Sequence, residues 1–219
     1  MVHQVYELWF KELIFELTSA RDAMFEHDGR RALHLMHRTH AIERVLIEQV
    51  SVLESMSPQD FLEFRMHLAP ASGFQSVQFR AIEFVSGLKD PSYLARLQIS
   101  DGAAEVLKRL LDEPTLWDGF CALLVKRGLP MPPDDEDQRR SSLVQLAHER
   151  AHYADAWDLC EALLTHDELF RLWRTRHVLM VERQIGSKTG TGGSTGASYL
   201  RTTLDKTFYP DLWSLRSYL

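Results

Sequence analysis

Apolar residues recur at steps of three and four along almost the whole of this 219-residue chain, a period that leaves little room for anything but α-helix. Over residues 3–25, Tyr6, Phe10, Leu13, Leu17, Ala20 and Met24 fall on one stripe, the face that a helix buries. Asp28-Gly29 interrupts it. A second stripe follows with Ala32, Leu35, Met36, Thr39, Ile42, Leu46, Val50 and Leu53. Ser57-Pro58-Gln59-Asp60 has the chemistry of a helix start, with Ser57 as N-cap and Pro58 in the first turn, where a missing N–H costs nothing. That predicts a short helix carrying Phe61, Phe64 and Arg65 and stopping near Ala69-Pro70. Further helices are expected over residues 75–86, 93–97, 103–111 and 116–126, and two long ones over 141–164 and 167–184. Residues 129–137, rich in proline and acid, read as a disordered-looking connection. Residues 198–219 read as helical only in part. Period-two strand signals are scarce, and no internal repeat is evident. The expectation is an all-α helical bundle, a single domain over residues 1–219.

Composition removes several classes of function. Hydrophobic residues make up 45% of the chain, enough for a real core. The net charge is -6 and no dense Lys/Arg block occurs, which argues against a nucleic-acid partner. Cys121 and Cys160 are far apart and are the only cysteines, as in a reduced compartment rather than a disulfide scaffold. No apolar run reaches the roughly 18 to 20 residues of a membrane span. No basic-then-apolar leader opens the sequence, so a cytoplasmic location is expected. The sequence begins mid-pattern at Val2-His3-Gln4-Val5-Tyr6, with no helix cap before it.

Near the C-terminus, Arg176-His177 lies on a long helix that leads into Gly186-Ser-Lys-Thr-Gly-Thr-Gly-Gly-Ser-Thr-Gly196 and then Tyr199-Leu200-Arg201. A histidine on a rigid helix beside a mobile polar loop is a way to hold a cofactor and cover a small molecule. The loop is not a phosphate cradle: Ser187 separates Gly186 from Lys188, and a helix rather than a strand precedes it. A plain flexible linker is the bland alternative. Phe61 and Arg65 are one helical turn apart, so a guanidinium could clamp a carboxylate while the ring packs against the rest of a ligand, although such an arginine is more often a surface ion pair.

Two other histidine groups compete for attention. His148-Glu149-Arg150-Ala151-His152 matches the zinc-protease pattern, in which histidines four apart share a helix face and the glutamate activates a metal-bound water. Few positions in that pattern are fixed, no further ligand follows, and the bland reading is an exposed helix face. His34, His37 and His40 share one helix, but the first and third drift apart around its axis. His3 shares a helix with Tyr6, Glu7 and Phe10, where a lone histidine is usually structural or exposed.

Taken together, several segments resemble the tryptophan 2,3-dioxygenase family. They are His3-Gln-Val-Tyr-Glu-Leu-Trp-Phe-Lys11, Phe61-Leu-Glu-Phe-Arg65, Pro70-Ala-Ser-Gly-Phe-Gln-Ser-Val-Gln-Phe-Arg80, Trp173-Arg-Thr-Arg-His177, Lys188-Thr-Gly-Thr-Gly-Gly-Ser194 and Tyr209-Pro-Asp-Leu-Trp-Ser-Leu-Arg216. They occur in the family's order and span nearly the whole chain, with residues of about 90 to 140 weakly matched and shortened.

The resemblance implies an all-helical haem b protein, usually a homotetramer. It implies cleavage of the indole C2–C3 bond of L-tryptophan by O2 to N-formylkynurenine, the first step of the kynurenine pathway. His177 then corresponds to the axial ligand of the haem iron and His3 to the distal histidine that hydrogen-bonds the indole N–H. Arg65 corresponds to the partner of the substrate carboxylate, with Phe61 packed beside it. Thr191 corresponds to a contact for the ammonium and carboxylate, and Ser72 and Gly73 to residues beside O2. Position 61 is Phe where some members have Tyr, Ala197-Ser198 replaces a bulkier pair, and the segment that members carry ahead of His3 has no counterpart in the sequence. The nearest rival is an oxygenase or hydroxylase of the same superfamily acting on a tryptophan, tyrosine or indole derivative. Rivals of other classes are a zinc hydrolase built on His148 and His152, and a helical haem-binding protein without activity.

Overall fold

A computed structural model of the chain describes residues 2–65, 67, 75–96, 100–190 and 195–219, and it is all-α, with no strand among the described residues. The first two stripes become α1 (Val2–Phe25) and α2 (Gly29–Glu54). Every residue of the first stripe is buried, as are Ala32, Met36, Thr39, Ile42, Leu46 and Val50 of the second. The turn between them needs a left-handed residue, supplied by His27 at φ 61. Asp28 then caps α2 by accepting from Arg31 N at 2.9 Å. Cross-links run in opposite order along the pair: Tyr6 Oη donates to Leu46 O at 3.0 Å, and Arg38 Nε donates to the buried Glu16 at 2.7 Å. The two helices are therefore antiparallel.

α3 (Pro58–Arg65) starts where the sequence predicts, with Asp60 N donating to Ser57 Oγ at 3.1 Å. α4 (Val77–Ser86), α5 (Ser92–Arg96), α6 (Asp101–Asp112) and α7 (Leu116–Lys126) follow. Thr115 and Asp118 form a reciprocal capping box at the start of α7. Gly119 lets α7 close on α1: a Cβ there would lie 3.1 Å from Arg21 O and 3.2 Å from the Met24 side chain. The remaining helices are α8 (Glu136–His148), α9 (Ala154–Ile185), α10 (Ala197–Arg201) and α11 (Pro210–Leu215), closed by a 3₁₀ turn at Arg216–Tyr218.

Three expectations need correction. Residues 129–137 are packed rather than disordered: Leu129 and Met131 are buried, and Ser142 Oγ donates to Pro130 O at 2.6 Å. Arg139 also donates to the carbonyls of Pro132 and Pro133. The helix expected over 141–164 is instead broken at residues 149–153, where His152 N turns back to Glu149 O at 2.8 Å. The break expected at 165–166 does not occur, and α9 runs unbroken for 32 residues.

The reason lies in what the polar residues of α9 face. His166 and Asp167 are completely buried. His166 Nδ1 donates to Glu43 Oε1 at 2.6 Å and its Nε2 accepts from Ser86 Oγ at 2.9 Å, joining α2, α4 and α9. Burial pushes the Glu43 carboxyl upward, partly offset by His166. Asp167 Oδ2 accepts from Phe208 N at 2.7 Å, Tyr209 N at 3.0 Å and Trp213 Nε1 at 3.0 Å, which docks the C-terminal segment. Links of His40 to Ala162, Glu43 to His166 and Glu54 to Arg176 rise together along both helices, so α2 and α9 are parallel. Cys121 and Cys160 are free, and burial pushes both thiols up to about 12, which leaves them unreactive. No described helix is long and apolar enough to cross a membrane.

Two outcomes follow from these contacts. Asp167→Ala leaves three donors of the C-terminal segment without their acceptor and is expected to lower unfolding free energy by about 3 kcal/mol or more in urea titrations. His40 is a pH-dependent element. Its Nε2 donates to Ala162 O at 2.9 Å, and burial, with His166, Arg44 and His37 nearby, lowers its pKa from 6.5 to about 4. The unfolded chain protonates first, so its contribution is complete above about pH 6.5 and is lost as pH falls toward 4. His40→Gln, which keeps a donor to Ala162, is expected to flatten the decline in thermal midpoint over that interval.

Candidate functional site

The second half of α9 builds one wall of the site. Phe170, Trp173 and His177 recur at steps of three and four, so they share a face. Trp173 stacks on His177 with ring centroids 5.2 Å apart and planes 14° apart. Behind it, Tyr6, Phe10, Phe79 and Phe170 close around the indole at centroid distances of 5.3 to 6.2 Å. Four helices thus contribute to the setting of one imidazole, since Tyr6 and Phe10 come from α1 and Phe79 from α4, while Tyr6 is tied by its hydroxyl to α2. Burial pushes the Tyr6 phenol up to about 12, so it stays a neutral donor.

His177 itself is half-buried. Desolvation lowers its pKa to about 4, and the charge of His3 acts in the same direction. The ring is therefore neutral at pH 7, with a lone pair available for a metal or a proton. The same coupling brings His3 of α1 into the electrostatic range of His177, although the two are 174 residues apart in sequence. His3 is exposed and lies one turn from Glu7. Gln78 Nε2 donates to Glu7 O at 2.8 Å and to Glu7 Oε2 at 2.7 Å, which fixes this end of α1 to α4.

Arg174 anchors the same stretch of α9. Its Nη2 donates to Glu83 Oε1 at 3.0 Å and its Nη1 to Lys206 O at 2.9 Å. Glu83 also pairs with Arg80, whose guanidinium lies over the rings of Tyr93 at 4.2 Å and Phe79 at 4.6 Å. Arg80, Glu83 and Arg174 are all buried, so breaking any pair strands a charge.

The end of α9 positions α3. Gln184 Nε2 donates to Leu53 O at 3.3 Å and Met56 O at 3.1 Å, pinning the turn between α2 and α3. Phe61 and Arg65, both half-buried, then face the loop that follows α9. Arg65 Nη2 donates to Thr189 O, while its Nε is buried without a partner. The loop begins and ends on glycines that only glycine could supply without strain: Gly186 at φ 57 and Gly196 at φ 68. A Cβ at position 196 would come within 2.5 Å of Lys188 O.

Of the residues expected from the sequence, the structure brings His3 and His177 into one neighbourhood and joins Arg65 to the glycine loop. Ser72, Gly73 and Thr191 lie outside the described residues. The zinc-protease reading does not survive, because α8 ends at His148 and leaves Glu149 and His152 in a turn. His152 instead packs edge-on against Tyr153. His40 is used internally, His37 is exposed, and no group of three or more metal-ligating side chains occurs among the described residues. The sequence reading missed Trp173, Gln78 and Gln184 as positioning residues. For Trp173 a signal was present, since it precedes His177 by four residues on one helix.

Comparison with known proteins agrees with this arrangement. The profile of the tryptophan 2,3-dioxygenase family matches residues 1–118 and 136–219, so the interruption is confined to the end of α7 and the proline-rich connection. A tryptophan 2,3-dioxygenase from Nocardioides sp. is 56% identical, over 100% of this chain and 83% of its own length. One from Herpetosiphon aurantiacus is 42% identical, over 99% of this chain and 86% of its own. Another from Anaeromyxobacter sp. is 40% identical, over 100% and 85%. On the strength of these matches and of the helical architecture that carries their motifs, the chain belongs to the tryptophan 2,3-dioxygenase family.

Proposed function

We propose that this protein is a haem-dependent tryptophan 2,3-dioxygenase, cleaving the indole C2–C3 bond of L-tryptophan with O2 to give N-formylkynurenine, and that residues 1–219 form its single catalytic domain. The observation that carries the reading is the neutral, half-buried imidazole of His177, stacked on Trp173 and within electrostatic range of His3.

That setting fits haem b. Iron in a porphyrin takes a neutral imidazole as its axial ligand, and apolar aromatic walls suit a macrocycle. His177 is the residue that would hold the iron. When bound, the haem supplies the oxygen chemistry, and the protein supplies orientation. His3 accepts a hydrogen bond from the indole N–H and so aims the ring. Arg65 pairs with the substrate carboxylate, which would also satisfy its buried Nε. Phe61 packs beside that pair. Thr191 binds the ammonium and carboxylate from the loop, and Ser72 and Gly73 border the space for O2, glycine allowing close backbone approach. A loop that covers the substrate excludes water from the reaction.

The protein is proposed to act in the cytoplasm as a homotetramer. Exposed Leu8 and Phe15 on α1 are apolar surface that such an assembly would cover.

The test is product formation by the purified protein under air with L-tryptophan. N-formylkynurenine is the expected product, and a hydroxylated tryptophan in its place would move the protein to a different reaction of the superfamily. His177→Ala is expected to lose most of its haem, and equal haem content in mutant and wild type would overturn the axial assignment. Arg65→Ala is expected to keep its haem and raise KM for tryptophan by about 30-fold or more, the loss expected for a charge-assisted pair of about 2 kcal/mol. An unchanged KM would remove Arg65 from the substrate site.

A further inference from the structure

Arg65 makes two kinds of commitment at once. Its Nη2 is taken by the carbonyl of Thr189, 124 residues away on the loop after α9. Its Nε points into protein with no partner. A guanidinium presents five N–H groups in a rigid planar fork, so one face can hold a backbone carbonyl while an adjacent N–H remains to bind an anion. A buried, unmatched N–H on a permanent cation is a costly thing to leave, and an anionic oxygen is the partner that removes the cost.

The loop is constructed so that a hold on Thr189 matters. Its two ends are Gly186 and Gly196, at φ 57 with ψ -128 and φ 68 with ψ -131, nearly the same conformation and one closed to L side chains. At its neck, Lys188 O approaches Gly196 so closely that a Cβ would lie 2.5 Å away. Between neck and tip, Arg65 is a side chain from outside the loop that holds its main chain. The other end of α3 is fixed to α9 through Gln184 and the turn at Leu53–Met56. The guanidinium thus joins a fixed helix to a glycine-hinged arm.

We propose that Arg65 is the coupling residue between ligand and loop: it holds the Thr189 carbonyl in the ligand-free protein, and a ligand carboxylate arriving on the same guanidinium stiffens that hold. The second half rests on the assignment of Arg65 to the substrate carboxylate, and the first half does not. The coupling follows from geometry. A carboxylate fixes the plane of the guanidinium, and a fixed plane narrows the positions open to the carbonyl on its other N–H. A ligand without a carboxylate leaves the plane free and the loop as it was.

The test is cleavage of the haem-loaded protein by a lysine-specific endoprotease, followed by mass spectrometry at the Lys188–Thr189 bond, with KM for tryptophan measured on the same variants. In the ligand-free protein, Arg65→Ala is expected to speed this cleavage by about threefold or more relative to cleavage at Lys108, because one main-chain anchor is gone. An equal rate in mutant and wild type overturns the proposal, whatever KM does. In the wild type, saturating L-tryptophan is expected to slow the cleavage and tryptamine, which lacks the carboxylate, is not; equal protection by both overturns the coupling. Arg65→Lys keeps the charge but loses the fork. It is expected to retain binding of tryptophan at raised KM while losing most of the protection at saturation, and full protection in that variant also overturns the coupling. A faster loop in Arg65→Ala with KM unchanged retains the hold on Thr189 but overturns both the carboxylate assignment and the coupling built on it.

Discussion

A buried hydrogen bond between His166 and Glu43 sets the position of α9, and α9 carries most of what the site needs. Without it, the Thr165-His166-Asp167 stretch would be polar residues in the middle of a helix with nothing to face. With it, Ser86 closes the other ring nitrogen, and Asp167, one residue on, gathers three donors from the C-terminal segment. Buried polar pairs add little net stability over well-packed apolar ones. What they add here is register: a shift of one residue along α9 would separate three sets of partners at once.

That register reaches the site through a rigid helix. Eleven residues after His166, or about three turns, His177 appears on nearly the same face, with Phe170 and Trp173 between them. Arg174 holds the intervening stretch to Glu83 of α4 and to the backbone at Lys206. The imidazole is thereby presented with its ring parallel to Trp173, in surroundings dry enough to keep it neutral. Three functional regions then converge on this one helix: His3 through α1 and Gln78, Arg65 through α3 and Gln184, and the glycine loop by direct continuation of the chain.

Much of the fold was legible because helix periodicity is a local signal. The stripes of α1 and α2, the cap at Ser57 and the limits of α7 all follow from neighbours within a few turns. The failures are where distant partners decide. His166 and Asp167 look like a break until Glu43, Ser86 and Trp213 are in place to satisfy them. The prolines at 130, 132 and 133 look like a loose tether until Arg139 and Ser142 collect their carbonyls. Of the site, the residue types and their order were legible through family resemblance. The neutral state of His177, the stacking of Trp173 and the hold of Arg65 on Thr189 were not, since each depends on tertiary neighbours.

The central claim is that the neutral imidazole of His177 is poised to ligate iron, and ligation has a direct optical signature. The absorption spectrum of the dithionite-reduced protein, recorded before and after CO, reports the axial ligand. The account predicts a five-coordinate ferrous haem that gives a histidine-type CO complex with a Soret maximum clearly to the blue of that of a thiolate-ligated haem, and loss of that species in His177→Ala. The same CO complex at full occupancy in the mutant would contradict it, because some other residue would then hold the iron.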